Sequence, residues 1–462
     1  MRRSAVLTLT SAAALAAATA MVPSVAGAAA PPATTATTGS ATTGAQEYVV
    51  LYSSTTSASA ARAAIVAAGG SVVSENSEVG YAVARSSDAA FATTVSRSSS
   101  VVGAARDRVI GYAPTDQRSS SAAKARTKGA DLERLTQVRS QRKAAGQTDA
   151  AAVPDAEPLA NRQWDMRMMG ATPNGSYSVQ PGDKGVRVGV IDTGIDGSHP
   201  DIAPNFDAAD SHNFVTDNPA IDGPCEYESC VDPVDHDDNE HGTHVASTIA
   251  SPINGFGIAG VAPNVTLLNL RAGQDSGYFF LQPTLEAITY AADIGVDVIN
   301  MSFYTDPWLF NCVDNPADSP AEQTEQRVIR ETTQRALDYA RQHGVLPIAA
   351  LGNEHTDLGN PVEDSTSPDF PAGAEKTRVI DNSCITVPTE SRGVVGVSSI
   401  GPSTRLAYYS NYGTEQTDVS APGGDAYDSP NNTVDPRSMI LAAYPKNVAE
   451  ANGDIDENGE PT

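Results

Sequence analysis

The sequence predicts an α/β protein: a doubly wound, mostly parallel sheet flanked by helices, preceded by a small α+β domain. Two observations support the predicted fold of the main domain. Apolar, β-rich runs recur from residue 161 onward, and stretches with helical periodicity alternate with them. Strands of a parallel sheet read as continuous apolar runs because helices cover both faces of the sheet. With 462 residues, the chain has room for two or three domains.

The elements of the main domain, residues 161–462, follow one another in regular alternation. Strands are predicted at 186–191, 265–270, 296–300, 345–350 and 394–397. Helices are predicted at 241–250, 284–294 and 322–343.

A second, smaller pattern at 46–113 predicts a compact α+β domain near the lower size limit for independent stability. Its strands are predicted at 47–52, 71–73, 80–84 and 101–112, and its helices at 57–68 and 87–96. Residues 29–45 are a low-complexity Ala/Thr/Gly/Pro tract, and residues 114–160 are predicted to be an exposed linker.

The first 28 residues resemble a secretory signal peptide. Arg2 and Arg3 precede an apolar stretch, and the small residues at 26–28 suit signal peptidase. No later stretch contains 18 consecutive apolar residues, so the protein is expected to be secreted and to leave the membrane once the signal is removed.

The formal net charge of −26 is unevenly distributed. Residues 31–150 are net positive, whereas residues 151–462 carry a large excess of Asp and Glu. The acidic part repels nucleic acid and anionic membranes, so neither is expected as a partner. The acidity can be explained in general terms by solubility outside the cell. A more specific explanation is electrostatic attraction between the basic and the acidic parts of the chain.

All four cysteines lie in the main domain. In an exported protein they are expected to form disulfides, and the short spacing favours Cys225 with Cys230, which leaves Cys312 with Cys384. Three pairings are open to four cysteines. A metal site is less favoured because no histidine joins them at ligand spacing.

Three polar residues stand where an α/β sheet collects functional groups, beyond the carboxyl ends of its strands. Asp192 follows one predicted strand, Asn353 follows another, and His241 opens a helix. Each has an ordinary structural alternative: a helix cap for the aspartate, a solvated or structural role for the histidine, and a turn for the asparagine. Taken together and in order, they indicate a catalytic site.

Around these residues the chain resembles the subtilisin-like serine proteases. Six blocks occur in the family's order: VIDTGI (190–195), HGTHVASTIA (241–250), GIAGVAP (257–263), DVINMS (297–302), GNE (352–354) and SAPG (420–423). The resemblance implies that Asp192 orients His241, that His241 moves the proton of a serine nucleophile, and that Asn353 donates to the oxyanion. It also implies protein or peptide substrates and no cofactor for catalysis.

The nucleophile is not identified within this chain. No Gly-Thr-Ser-Met-Ala motif is present, and Ser438, Ser420 and Ser429 lack the motif context. The residues at 438–445 are interpreted as the strand that precedes the nucleophile in the family. The favoured hypothesis is a longer protease whose serine lies beyond residue 462, so that these 462 residues alone are inactive. The alternative is a naturally inactive pseudoprotease that acts as a binding protein.

Three further expectations depend on the resemblance. The domain at 46–113 is similar to the family's inhibitory propeptide, which implies a maturation cleavage within 114–160. The acidic segment 207–238 is interpreted as a solvated loop, with structural calcium as the alternative. His244, one helical turn after His241, is interpreted as a packing residue, because the Glu of a zinc-protease motif is absent.

Overall fold

The computed structural model describes residues 45–107 and 157–460, except 372, 430–432 and 457–458. The predicted signal peptide and nearly all residues of the two linkers lie outside these ranges, as does the part of the last small-domain strand predicted after residue 107. Within the described ranges, no helix combines the length and the apolar composition needed to cross a lipid bilayer.

The elements of the small domain are β1 Gln46–Tyr52, α1 Ala58–Ala67, β2 Ser71–Asn76, β3 Tyr81–Ser86, α2 Phe91–Val95 and β4 Val101–Asp107. The four strands form an antiparallel sheet in the order β2-β3-β1-β4, with the two helices on one face. Alternation along β1 turns Val50 towards those helices, where it packs with Ile65 and Phe91, and turns Val49 and Leu51 to the opposite face. The prediction of a helix over 87–96 was too long, because Asp88 accepts a hydrogen bond from the Ala90 nitrogen in a turn before the helix.

The main domain contains a seven-stranded sheet in the order β13-β12-β9-β8-β5-β7-β6, and every neighbouring pair is parallel. The predicted fold class is therefore confirmed. Its strands are β5 Arg187–Ile191, β6 His212–Asn213, β7 Thr266–Arg271, β8 Val298–Met301, β9 Leu346–Ala350, β12 Val395–Ile400 and β13 Val419–Pro422, and a separate two-stranded sheet pairs β10 Glu363–Asp364 with β11 Arg378–Val379.

Helices lie on both faces of the seven-stranded sheet. The α-helices that the structure describes in the main domain are α3 Trp164–Met169, α4 His241–Ala250, α5 Leu281–Asp293, α6 Pro320–Gln342 and α7 Lys446–Ala451. Alternate residues of β7 show the two faces: Leu267 packs with α4, and Leu268 packs with α5. Helix α6 begins earlier than predicted, because Ser319 and Glu322 form a capping box and a proline is favourable in the first turn.

Two features of the connecting segments bear on the site. Disulfides join Cys225 with Cys230 and Cys312 with Cys384, the pairing that the spacing favoured. The strand expected at 438–445 was wrong: the segment is the end of a short 3₁₀ helix followed by a loop, and side chains of other elements hold it. The Trp164 indole donates to the Met439 carbonyl at 3.0 Å, and the Ser247 hydroxyl accepts from the Ala443 nitrogen at 2.9 Å.

Candidate active site

Asp192 directly follows β5, which is an interior strand of the seven-stranded sheet, and is fully buried. Its carboxylate accepts a hydrogen bond from the Thr193 nitrogen at 2.8 Å, and its backbone carbonyl accepts from the nitrogens of Ala272 and Gly273, both at 3.0 Å. The last two bonds fasten the end of β5 to the segment that follows β7. The carboxylate is therefore held at a defined position on the edge of the sheet.

His241 is the first residue of α4, and its ring meets this carboxylate. The Nδ1 atom of His241 lies 2.7 Å from Oδ1 of Asp192. The two side chains differ in exposure: 44 % of the imidazole is accessible, whereas the carboxylate is inaccessible. A buried carboxylate on Nδ1 fixes the ring orientation, places the proton on that nitrogen and stabilises the imidazolium. The opposite edge of the ring can then exchange a proton with a reacting group.

Asn353 follows β9 by three residues and is exposed. Because β9, β8 and β5 are adjacent parallel strands, Asn353 and Asp192 lie beyond the same edge of the sheet, two strands apart. Two strand spacings are about 10 Å. The structure thus brings Asp192 and His241 into contact and places Asn353 across the edge, where it can face a group positioned between them.

Asn411 was not identified from the sequence, yet it shapes the loop that carries Asn353. It is fully buried, and its carbonyl oxygen accepts from the nitrogens of Glu354 and Thr356 at 3.1 and 2.8 Å. Its amide nitrogen donates to the Leu351 carbonyl at 3.0 Å. A side chain 57 residues away in sequence from Glu354 therefore sets this turn, and no local pattern identifies it.

The three candidate serines form hydrogen bonds away from His241. The Ser438 hydroxyl donates to the Asp428 carbonyl at 3.2 Å, and the Ser429 hydroxyl donates to the Thr433 carbonyl at 2.7 Å. The Ser420 hydroxyl lies 2.7 Å from the hydroxyl of Ser398 on the neighbouring strand. None of these hydroxyls has the environment of an activated nucleophile.

His244 is half-buried on α4 and hydrogen-bonds the backbone of Ile440. Burial and the neighbouring His241 lower the pKa of its imidazole to about 4, so the ring is neutral at physiological pH. Among the described residues, no cluster with metal-ligand spacing includes His244.

The acidic segment 207–238 contains a buried charge cluster rather than only solvated side chains. Arg271, at the end of β7, is fully buried and forms ion pairs with Asp232, with Asp275 at 2.5 Å and with Asp217 at 3.4 Å. Asp217 and Asp232 each direct one oxygen to the guanidinium, and each has a second, buried oxygen without a hydrogen-bond partner. Burial and the Asp232 charge raise the pKa of Asp217 to about 7.

Two carboxylates of this cluster could hold a cation together with the carboxylate of Glu226. One oxygen each from Asp217, Glu226 and Asp232 lie within 4.8 Å of one another. Glu226 stands inside the loop closed by the Cys225–Cys230 disulfide and is exposed. Oxygen ligands in this number suit a hard divalent ion such as Ca²⁺. The two orphaned, buried oxygens fit such an ion, because an unpaired buried carboxylate oxygen is otherwise costly.

Comparison with known proteins identifies the family of the chain. The chain is 30 % identical to a thermophilic serine proteinase of Bacillus sp. (strain AK1) over 298 residues, covering 62 % of this chain and 58 % of that protein. It is 29 % identical to subtilisin DY of Bacillus licheniformis over 253 residues, covering 54 % of this chain and 68 % of that protein. The match to the first relative therefore spans less than two thirds of its length.

A solved structure supports the fold. The epidermin leader peptide processing serine protease of Staphylococcus aureus superimposes with a TM-score of 0.57 at 22 % identity, over 83 % of this chain and 75 % of that one. The model of the subtilase family, peptidase S8, matches residues 183–448, which contain Asp192, His241 and Asn353. The chain belongs to the subtilase family.

Proposed function

We propose that this protein is a serine endopeptidase that hydrolyses peptide bonds in protein or peptide substrates, with Asp192, His241 and Asn353 in its catalytic site. The observation that carries the proposal is the 2.7 Å contact between a fully buried carboxylate and a half-exposed imidazole at the edge of a parallel sheet. Membership of the subtilase family supports the reaction class.

Asp192, His241 and Asn353 have different roles in the proposed hydrolysis. As a serine hydroxyl attacks the scissile carbonyl, His241 takes up its proton, and Asp192 stabilises the imidazolium that forms. The carbonyl oxygen gains negative charge, which the side-chain amide of Asn353 stabilises by a hydrogen bond. His241 then gives the proton to the leaving amine, and water cleaves the acyl-enzyme by the same two steps.

The serine is proposed to come from sequence beyond residue 462, in a Gly-Thr-Ser-x-Ala setting. The engagement of Ser420, Ser429 and Ser438 in other hydrogen bonds supports this assignment. The protein encoded by the whole reading frame should react covalently with a fluorophosphonate probe, and His241→Ala should abolish the labelling. His343→Ala is the matched control, since that histidine is exposed at the end of α6.

The competing function is that of an inactive pseudoprotease that binds proteins without cleaving them. It predicts that the product of the whole reading frame is folded but does not react with the probe. Wild-type and His241→Ala protein should then both remain unlabelled. The contact between Asp192 and His241 favours the peptidase, because a binding protein needs no oriented imidazole.

We further propose that the small domain, 46–113, is an inhibitory propeptide that is cleaved from the main domain within 114–160. Its β-sheet packs on α5 and α6, and Val49, Leu51 and Val83 share one hydrophobic core with the two helices. Arg335 of α6 donates to the Tyr52 carbonyl at 2.9 Å. Apolar burial of this kind favours association by about 25 cal/mol per Å².

Close approach at Gly103 of β4 gives a direct test of this docking. A Cβ atom on Gly103 would lie 2.6 Å from Cγ2 of Thr324 and 3.1 Å from Cγ2 of Val328, both on α6. In the protein encoded by the whole reading frame, Gly103→Leu should separate the domains and give peptidase activity before the linker is cut. Val73→Leu, at an exposed position of β2, should leave the precursor inactive. Equal latency of the two precursors would contradict the inhibitory role.

Secretion is proposed from the signal-like pattern of residues 1–28. A protein with this pattern should appear in the culture medium without residues 1–28, and deletion of the apolar stretch should retain it inside the cell. An uncleaved N-terminus would refute the proposal.

Catalysis is proposed to need no cofactor, and Ca²⁺ is proposed as a structural ion at Asp217, Glu226 and Asp232. The ion would neutralise carboxylates that Arg271 alone leaves in excess, and it would hold the disulfide-closed loop against the end of β7.

A further inference from the structure

Asp237 lies four residues before His241 and is fully buried. Its Oδ1 atom accepts three hydrogen bonds: from the Thr193 hydroxyl at 3.1 Å, the Asn239 nitrogen at 3.1 Å and the Glu240 nitrogen at 3.2 Å. Its Oδ2 atom accepts two from Thr243, at 3.0 Å from the nitrogen and 2.6 Å from the hydroxyl. Five donors therefore converge on one carboxylate.

These donors belong to two separate parts of the site. Thr193 directly follows Asp192, and its nitrogen donates to the Asp192 carboxylate at 2.8 Å. The Thr193 hydroxyl accepts from the Gly242 nitrogen at 3.1 Å, in the first turn of α4. Asp237 thus binds both Thr193, which directly follows Asp192, and the first turn of α4, the helix that begins at His241.

Asp237 also supplies a hydrogen-bond acceptor at the N-terminus of α4. Glu240, the N-cap of α4, has a φ of +94° and makes no side-chain capping hydrogen bond. The first-turn nitrogens of a helix need acceptors, and an anion near them is stabilised by the helix dipole. Asp237 provides the acceptor through Thr243 and holds Glu240 in its left-handed conformation.

The backbone is close-packed at this junction. A Cβ atom on Gly194 would lie 2.4 Å from the His236 carbonyl and 2.9 Å from Cα of Asp237. One on Gly242 would lie 2.0 Å from the Gly194 carbonyl. The Asp192 turn, the Asp237 turn and the start of α4 therefore form one tightly packed unit with little freedom to shift separately.

We infer that Asp237 is a positioning residue for catalysis, whose carboxylate fixes the distance and orientation between Asp192 and His241. The inference rests on the proposed peptidase function for its catalytic meaning, whereas the geometry that it predicts exists independently of turnover. Proton transfer through an oriented imidazole is sensitive to small displacements, so a loosened junction reduces the rate without changing the substrate site.

The decisive experiment measures the histidine rather than the reaction. In the full chain, NMR titration gives the pKa of His241, and the far-downfield Nδ1 proton resonance reports its hydrogen bond to Asp192; a His241→Gln variant assigns both signals. Asp237→Asn keeps the size of the side chain but offers one acceptor oxygen instead of two. It should weaken the downfield resonance and lower the pKa of His241, because the imidazolium is then less well aligned with the Asp192 carboxylate.

Asp238→Asn is the matched control, because the Asp238 carboxylate pairs with His236 and accepts from Asn447 rather than from the five donors that surround the Asp237 carboxylate. It should leave the pKa of His241 and the Nδ1 resonance unchanged. If Asp237→Asn lowers the melting temperature but leaves both His241 signals at their wild-type values, Asp237 is a structural residue only and the inference is wrong.

Turnover gives a second readout in the protein encoded by the whole reading frame. Asp237→Asn should lower kcat on the order of tenfold with KM unchanged, since the substrate-binding surfaces are not touched. A change confined to KM would overturn the positioning role. Absence of peptidase activity in the wild type would refute the proposed function and leave the NMR result on the junction intact.

Discussion

The carboxylate of Asp107, at the end of β4, accepts a hydrogen bond of 3.1 Å from the backbone nitrogen of Gln282, in the first turn of α5. The N-cap of α5, Phe280, makes no side-chain capping bond of its own. The small domain therefore supplies the cap of a helix in the main domain. This cap lies in an acidic environment: Glu47 is the register partner of Asp107 on β1, and Glu286 approaches from α5.

The first prediction concerns the pH dependence of this contact. Burial, with the charges of Glu47 and Glu286, raises the pKa of Asp107 from 3.8 to about 7 in the docked state. A raised pKa means that docking takes up a proton, so docking is strongest in acid, weakens as the pH rises from 3.8 to about 7, and levels off above that. For this one group, the docking constant should fall roughly thirtyfold between pH 5.5 and pH 8.

Hydrogen exchange in the full chain, corrected for intrinsic rates, measures this effect. Protection of β4 and the first turn of α5 should be lower at pH 8 than at pH 5.5. Asp107→Asn, which keeps an acceptor oxygen but cannot ionise, should remove most of that difference. Asp88→Asn, at an exposed turn of the same domain, should retain it. Protection that rises with pH in the wild type would contradict this prediction.

The second prediction concerns the oxyanion. In the protein encoded by the whole reading frame, Asn353→Ala should lower kcat by about 10²–10³ with little change in KM, because the lost hydrogen bond forms mainly in the transition state. Steady-state kinetics on a peptide substrate measure both constants. Asn360→Ala, an exposed asparagine in the same loop, should be neutral. A loss of less than threefold for Asn353→Ala would remove this residue from the catalytic site.

The third prediction concerns the proposed calcium site. Adding Ca²⁺ should raise the melting temperature of the full chain, and chelation should reverse the gain, because an ion that binds only the folded state stabilises it by mass action. Glu226→Gln should shift the Ca²⁺ titration to higher concentrations. Glu228→Gln, exposed in the same disulfide-closed loop, is the control and should not. A melting temperature independent of Ca²⁺ would exclude the site.

The fourth prediction concerns the buried network around Arg378. Arg378 is fully buried, pairs with Asp318 at 2.8 Å and with Asp364 at 2.5 Å, and stacks over Trp308. Arg378→Ala leaves the buried carboxylate of Asp364 without its cationic partner, whereas Asp318 keeps Lys376 at 2.9 Å. The change should cost about 3–5 kcal/mol of the free energy of unfolding.

Denaturant unfolding measures that loss. Arg392→Ala breaks an exposed pair with Asp338 at 3.5 Å and should cost about 0–1 kcal/mol. Similar losses for Arg378→Ala and Arg392→Ala would show that burial of the network adds nothing to its contribution.

Much of the fold follows from local patterns. The apolar runs of β5, β7, β8, β9 and β12 predict their strands to within a few residues, because a buried parallel strand must be apolar on both faces. Helix α4 begins and ends where its periodicity predicts. The error at 438–445 has a clear cause: an apolar run indicates burial, and this partly buried segment is held by contacts with Trp164 and Ser247 rather than by strand pairing.

By itself, the sequence determined the fold class and the three candidate residues Asp192, His241 and Asn353, because parallel strands bring polar groups at their carboxyl ends to one edge. Only the tertiary structure decided that Asp192 and His241 touch, and that Asp237 and Asn411 hold the loops around them. The physical reason is that periodicity records burial along a single element, whereas a polar loop residue acquires its role from donors and acceptors on segments remote in sequence.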